Sequence, residues 1–236
     1  MNRLRGLRAA VAATTVFLVS ACAGGSAGSA GSVTVFAAAS LTDAFNAIGA
    51  AHTKFSFAGS QVLVQQIQDG APADVLATAD TITIGQVSDQ LESAPQTFAR
   101  NTLVIVTAPG NPQHLTTLAD LAEPKVQVVL ADPSVPAGKY AAQALHDAHV
   151  TVHPRSLEID VRSVLTKVEV GEADAGIVYV TDAMSAGAKV SSTPIANSPV
   201  ATYQIGALDK QGEAFVTEVL SPAGQAVLHR YGFLSP

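Results

Sequence analysis

Tryptophan is absent from this chain, cysteine occurs once, and charged side chains make up only 14% of the 236 residues. A single thiol excludes an internal disulfide, so the fold must rest on a buried core rather than on covalent staples. The length allows such a core, and a hydrophobic content of 48% excludes an intrinsically disordered chain. Basic residues are the scarcer sign, with 13 Lys and Arg against 19 Asp and Glu. That deficit excludes a protein built to neutralise nucleic-acid phosphates. Enzyme signatures are missing as well: no Ser-x-x-Lys, no HExxH, no Walker loop and no GxGxxG after a strand.

The chain also lacks an N-terminal apolar run long enough to span a membrane. Arg3, Arg5 and Arg8 precede an uncharged stretch over residues 9–21 (AAVAATTVFLVSA) that falls short of the roughly 20 residues a spanning helix needs. A basic start, a short apolar segment and small residues before a processing point make residues 1–21 an export signal. Val19-Ser20-Ala21 before Cys22 resembles the lipobox of bacterial lipoproteins, in which the cysteine becomes the acylated N-terminus. Residues 22–32 then read as a lipidated Cys22 and a Gly/Ser tether. Its GxSxG pattern lacks the flanking strand and helix of a nucleophile elbow and carries no catalytic reading. Loss of residues 1–21 with three Arg leaves ten basic and 19 acidic residues, a charge of −9.

The remainder alternates strand-like and helix-like patterns. Residues 33–37, 55–58, 73–78, 103–107, 126–131 and 175–180 are apolar runs of buried-strand length, and 202–208 is a later one. Leu41, Ala44, Phe45 and Ile48 repeat at helical spacing, as do Val62, Leu63 and Ile67; further helices are expected over 82–91, 137–148 and 161–170. Strands without polar alternation, separated by helices, predict an α/β fold with mostly parallel sheets covered on both faces. Two lobes are expected, residues 33–106 with 206–236 and residues 107–205, joined by two hinge strands with a cleft between them. The stretch 81–100 reads as lobe surface.

His146, His149 and His153 are the nearest approach to a metal cluster, but Pro154 and the extended stretch before it need not bring the three rings together, and no cation site is expected. A different chemistry recurs at four places. Ser40 and Ser60 each follow a strand and open a helix; Pro136-Ala137-Gly138 and Asp160-Val161 open two more. Unpaired amide N–H groups and the positive end of a helix dipole then sit at the C-terminal ends of strands, a setting suited to an anion.

The segments AAASLTDA (37–44), FAGS (57–60), GAPADV (70–75), VPAGKY (135–140), DVR (160–162) and GIVY (176–179) occur in the order found in the periplasmic molybdate-binding proteins of ABC transporters. RYGF (230–233) resembles the C-terminal end of that family. Gly59 stands where the family often has another serine, and residues 50–56 are a shorter connection than usual. The resemblance implies a two-lobed protein that closes on a tetrahedral oxyanion, molybdate or tungstate, with no other cofactor. Ser40 and Ser60 would supply hydroxyl and amide donors, Ala137 and Val161 amide N–H groups, and Tyr179 a phenol O–H. Asp43 and Asp160 are expected to cap helices with their carboxylates turned from the site. The resemblance implies a monomer, not an enzyme and not a nucleic-acid binder, lipid-anchored to the outer face of the cytoplasmic membrane and passing its ligand to a membrane permease. Two other readings stay open: a lipoprotein for sulfate or another oxyanion, and a lipid-anchored hydrolase that uses Ser40 or Ser60 with a histidine base within hydrogen-bond reach.

Overall fold

The computed structural model describes residues 32–49 and 52–236. The expected signal, Cys22 and all but the last residue of the tether lie outside them. In chain order the elements are β1 (Val33–Ala38), α1 (Thr42–Ile48), β2 (Thr53–Ala58), α2 (Ser60–Gln68), β3 (Val75–Thr78) and α3 (Thr81–Gly85). There follow β4 (Gln96–Asn101), β5 (Leu103–Thr107), β6 (Val128–Ala131), α4 (Pro136–Asp147), β7 (Ser156–Glu158), α5 (Val161–Glu169) and β8 (Ala175–Tyr179). The chain ends with α6 (Val180–Ala186), β9 (Ser191–Pro194), β10 (Ala201–Ala207), α7 (Glu213–Leu220) and α8 (Pro222–Arg230).

Two five-stranded sheets result, ordered β2-β1-β3-β10-β4 and β7-β6-β8-β5-β9. The two-lobed α/β class holds; each sheet is mixed, with four strands running one way and a single strand reversed. In the first, β1 runs parallel to β2 and β3 while β10 is antiparallel to β3 and β4. In the second, β6 is parallel to β7 and β8 while β5 is antiparallel to β8 and β9. The antiparallel members, β5 and β10, are the strands next to the crossings between lobes, where the chain arrives from the other sheet instead of from a covering helix. Those crossings fall at Thr102 and between β9 and β10. The boundaries expected at 106/107 and 205/206 lie inside β5 and β10.

The central strands β3, β5, β6 and β8 are buried along their whole length, which explains their unbroken apolar sequences. Helices cover them with single apolar stripes: Leu63, Val64 and Ile67 on α2, and Val161, Val164, Leu165 and Val168 on α5, at the 3-4 spacing of one helix face. Residues 81–100 are not only surface: they hold β4, whose Phe98 and Ala99 are fully buried in the first lobe. Phe98 belongs to an aromatic cluster with Phe45, Tyr203 and Phe215. The C-terminal end returns to this lobe, where Leu234 and Arg100 exchange backbone hydrogen bonds at 2.9 Å and Phe233 packs edge-on against Tyr203.

Candidate functional site

The helix starts singled out by the sequence converge on one cavity between the lobes. Ser40, Ser60 and Ala79 from the first lobe face Ala137, Val161 and Tyr179 from the second, around about 210 Å³ of space that includes its opening. Ser40 lies in a 3-10 turn, residues Ala39–Leu41, between β1 and α1. Ser60 is the first residue of α2, Ala137 follows the N-terminal Pro136 of α4, and Val161 is the first residue of α5. First-turn amides have no partner inside their own helix, so these N–H groups are not used by intrahelical hydrogen bonds.

The side-chain hydrogen bonds decide which way the polar groups can act. Ser60, 1% exposed, accepts from the Ala79 N–H at 3.1 Å. Ser40 lies 2.8 Å from the hydroxyl of the fully buried Tyr203. Tyr179 is 1% exposed and its hydroxyl has no hydrogen-bond partner among the described residues. A buried, unpaired O–H costs roughly 1–3 kcal/mol, a cost that a hydrogen-bond acceptor in the cavity would relieve. Burial pushes the phenols of Tyr179 and Tyr203 well above their ordinary pKa, which keeps both as neutral donors.

The wall carries no cationic side chain, and its single carboxylate is Asp160. Asp160 caps α5 as expected, accepting from the Ser163 N–H at 2.8 Å and from its hydroxyl at 3.1 Å, so its oxygens are occupied along the helix. Asp43 does not cap. It reaches across the cleft and accepts from Arg162 at 2.6 Å, while the same guanidinium lies 2.7 Å from the fully buried Asp182 of α6. Burial raises the Asp182 carboxyl to about 6 against the opposing pull of Arg162. A second bridge between lobes joins Lys139 of α4 to Asp80, which precedes α3, at 2.9 Å. The Gln61 amide adds a third, donating to the Ile159 carbonyl at 2.9 Å.

Gly59 fits this closed arrangement for a steric reason. Its backbone is ordinary for any residue, φ −58 and ψ 138, yet a Cβ there would collide with the Ile159 carbonyl oxygen of the opposite lobe. A serine at this position would collide in the same way.

The structure thus brings together Ser40, Ser60, Ala137, Val161 and Tyr179, and leaves Cys22 outside the described residues. The histidine trio does not assemble: among the described residues no three His, Cys, Asp or Glu are placed to hold a metal ion. No histidine lines the cavity, and the groups beside Ser40 and Ser60 are a phenol and a backbone amide, neither of them a base for a serine nucleophile. Sequence reasoning missed Tyr203, Asn101 and the Arg162 bridges. Asn101, fully buried at the crossing between lobes, donates to Thr181 at 2.9 Å and accepts from the Thr102 N–H at 2.9 Å.

Residues 33–234 match the sequence profile of the bacterial extracellular solute-binding proteins. The chain belongs to that family. A curated relative, the molybdate-binding protein ModA of Mycobacterium tuberculosis, is 41% identical over 223 residues, covering 87% of this chain and 85% of its own length. The periplasmic molybdate-binding protein of Azotobacter vinelandii superposes with a TM-score of 0.72 at 18% identity, over 86% of this chain and 99% of its own. The sulfate-binding protein SubI of M. tuberculosis superposes with a TM-score of 0.75 at 18% identity, over 86% of both chains. At such identities the two superpositions speak to the shared fold and not to the ligand.

Proposed function

We propose that this solute-binding protein takes up molybdate, and tungstate with it, outside the cytoplasmic membrane and hands it to an ABC permease. The observation that carries the reading is the unpaired, buried Tyr179 hydroxyl, which shares a cation-free cavity with two serines whose oxygens already have partners behind them. The cavity offers seven donors: the hydroxyls of Ser40, Ser60 and Tyr179, and the amides of Ser40, Ser60, Ala137 and Val161. Hydrogen bonds to a charged group contribute about 1.5–3 kcal/mol each, hence roughly 10–20 kcal/mol gross. After desolvation and lobe closure, micromolar to nanomolar affinity, about −8 to −12 kcal/mol, is within reach of neutral groups alone.

A wall whose one carboxylate, Asp160, is bonded to Ser163 and whose other side-chain polar groups are hydroxyl donors suits a fully deprotonated dianion and turns away a protonated one, whose O–H would meet a donor. Sulfate carries the same charge and shape as molybdate, so its discrimination rests on cavity size. The 41% identity to a molybdate-binding relative supports molybdate. The protein acts as a carrier without chemistry of its own, is held to the membrane through an acylated Cys22, and works as a monomer. A ligand that binds only the native state raises its melting temperature by mass action. Excess molybdate or tungstate is expected to raise the melting temperature by several degrees, with sulfate doing much less. Equal shifts with all three would refute molybdate as the ligand.

A further inference from the structure

We infer that Tyr203 is a positioning residue that sets the direction of the Ser40 hydroxyl and thereby keeps proton-bearing oxyanions out of the cavity. The inference rests on the oxyanion reading above. Its starting point is a likeness between the two serines. At Ser60 the partner behind the oxygen is a backbone N–H, that of Ala79, which can only donate; the Ser60 hydrogen must therefore point elsewhere, and the cavity is where it faces. At Ser40 the partner is the Tyr203 hydroxyl, and either oxygen could be the donor. One hydrogen cannot serve both Tyr203 and an anion, so a Ser40 that donates to the anion requires Tyr203 to donate to Ser40.

Tyr203 is built for that task. It is fully buried on β10, and its ring is held edge-on by Phe98 and Phe233 at centroid distances of 6.1 and 5.3 Å, with Tyr179 at 5.8 Å. The hydroxyl has no freedom to swing away, and burial keeps it protonated. Tyr203 does not line the cavity and acts only through Ser40. With the Ser40 hydrogen turned inward, an incoming X–O–H group meets hydrogen against hydrogen. Without Tyr203 the Ser40 hydroxyl can rotate and offer its oxygen as an acceptor.

The test is calorimetric titration of the purified protein and its Tyr203→Phe variant with molybdate and, at mildly alkaline pH, with hydrogen phosphate. Phe keeps the ring contacts, and the melting temperature checks that the fold persists. Molybdate affinity is expected to fall roughly three- to tenfold, less than the loss of a whole hydrogen bond to a charged group, because the Ser40 hydroxyl can still turn to the anion. The preference for molybdate over hydrogen phosphate should narrow in Tyr203→Phe, and narrow less in Ser40→Ala, which removes the opposing hydrogen without gaining an acceptor. In a Ser40→Ala background, Tyr203→Phe should change molybdate affinity less than about twofold, since coupled residues are not additive. Unchanged affinity and unchanged preference in Tyr203→Phe would overturn the inference while leaving the functional reading intact. Failure of the unsubstituted protein to bind molybdate would overturn both. The Ser40→Ala titration settles the matter even if Tyr203→Phe folds poorly, because an unchanged preference for molybdate there would place the selectivity outside the Ser40–Tyr203 pair.

Discussion

At the scale of single residues, Tyr179 shows how function and stability can pull apart. Its hydroxyl is buried without a partner, which is a cost to the empty protein and a donor for a bound anion. Tyr179→Phe is therefore expected to leave the melting temperature of the ligand-free protein unchanged or slightly raised, while molybdate affinity drops roughly 10- to 150-fold, the equivalent of one charge-assisted hydrogen bond. Parallel melting and calorimetry check both halves; a fall in stability with full affinity would assign Tyr179 a structural role. Ser40, Ser60, Ala137, Val161 and Tyr179 were legible in the sequence because each sits in a short motif at a strand or helix end. Tyr203 was not. It lies in an ordinary strand with no motif around it, and its importance comes from Ser40, 163 positions away. Asp43 was misjudged for a similar reason: the first turn of a helix suggests a cap, while the partner that claims its carboxylate, Arg162, is 119 residues distant.

At the scale of elements, helix starts and central strands follow from local pattern, whereas edges and crossings do not. The fully buried strands β5, β6 and β8 announce themselves as apolar runs. By contrast β4, β7 and β9 read QTFARN, SLE and SSTP, sequences whose strand character comes from the neighbours they pair with. The antiparallel placement of β10 likewise depends on where the chain returns from the other lobe. The meeting of α2 with the segment before α5 carries its own expectation. Gly59→Ala has an allowed backbone, so the lobes should fold normally, but its Cβ would strike the Ile159 carbonyl and hold the cleft ajar. Molybdate affinity should fall about tenfold or more, mostly through faster release, with the melting temperature of the free protein within a degree or two. Stopped-flow release kinetics check this; wild-type release would show that closure tolerates the extra carbon.

At the scale of the whole molecule, the acidic balance takes on a definite meaning. With the expected export signal removed, the chain stands at −9 and should repel a dianion at long range rather than steer it. On the proposed reading, binding falls instead to neutral donors at the ends of helices from both lobes. The charges that lie near the cleft are spent on closing it, through Arg162 with Asp43 and Lys139 with Asp80. The Arg162–Asp43 bridge, with both partners partly exposed, contributes little stability, which suits lobes that open as well as close. The central claim is that neutral donors in the cavity between the lobes hold the oxyanion without any cation. A crystal structure of the molybdate complex, with the metal located by its anomalous scattering, tests this most directly. The expected result is one molybdate between the lobes, within hydrogen-bond distance of Ser40, Ser60, Ala137, Val161 and Tyr179, with the Asp160 carboxylate still bonded to Ser163. An oxyanion bound elsewhere, or one held in the cleft by a lysine, an arginine or a metal ion, would contradict it.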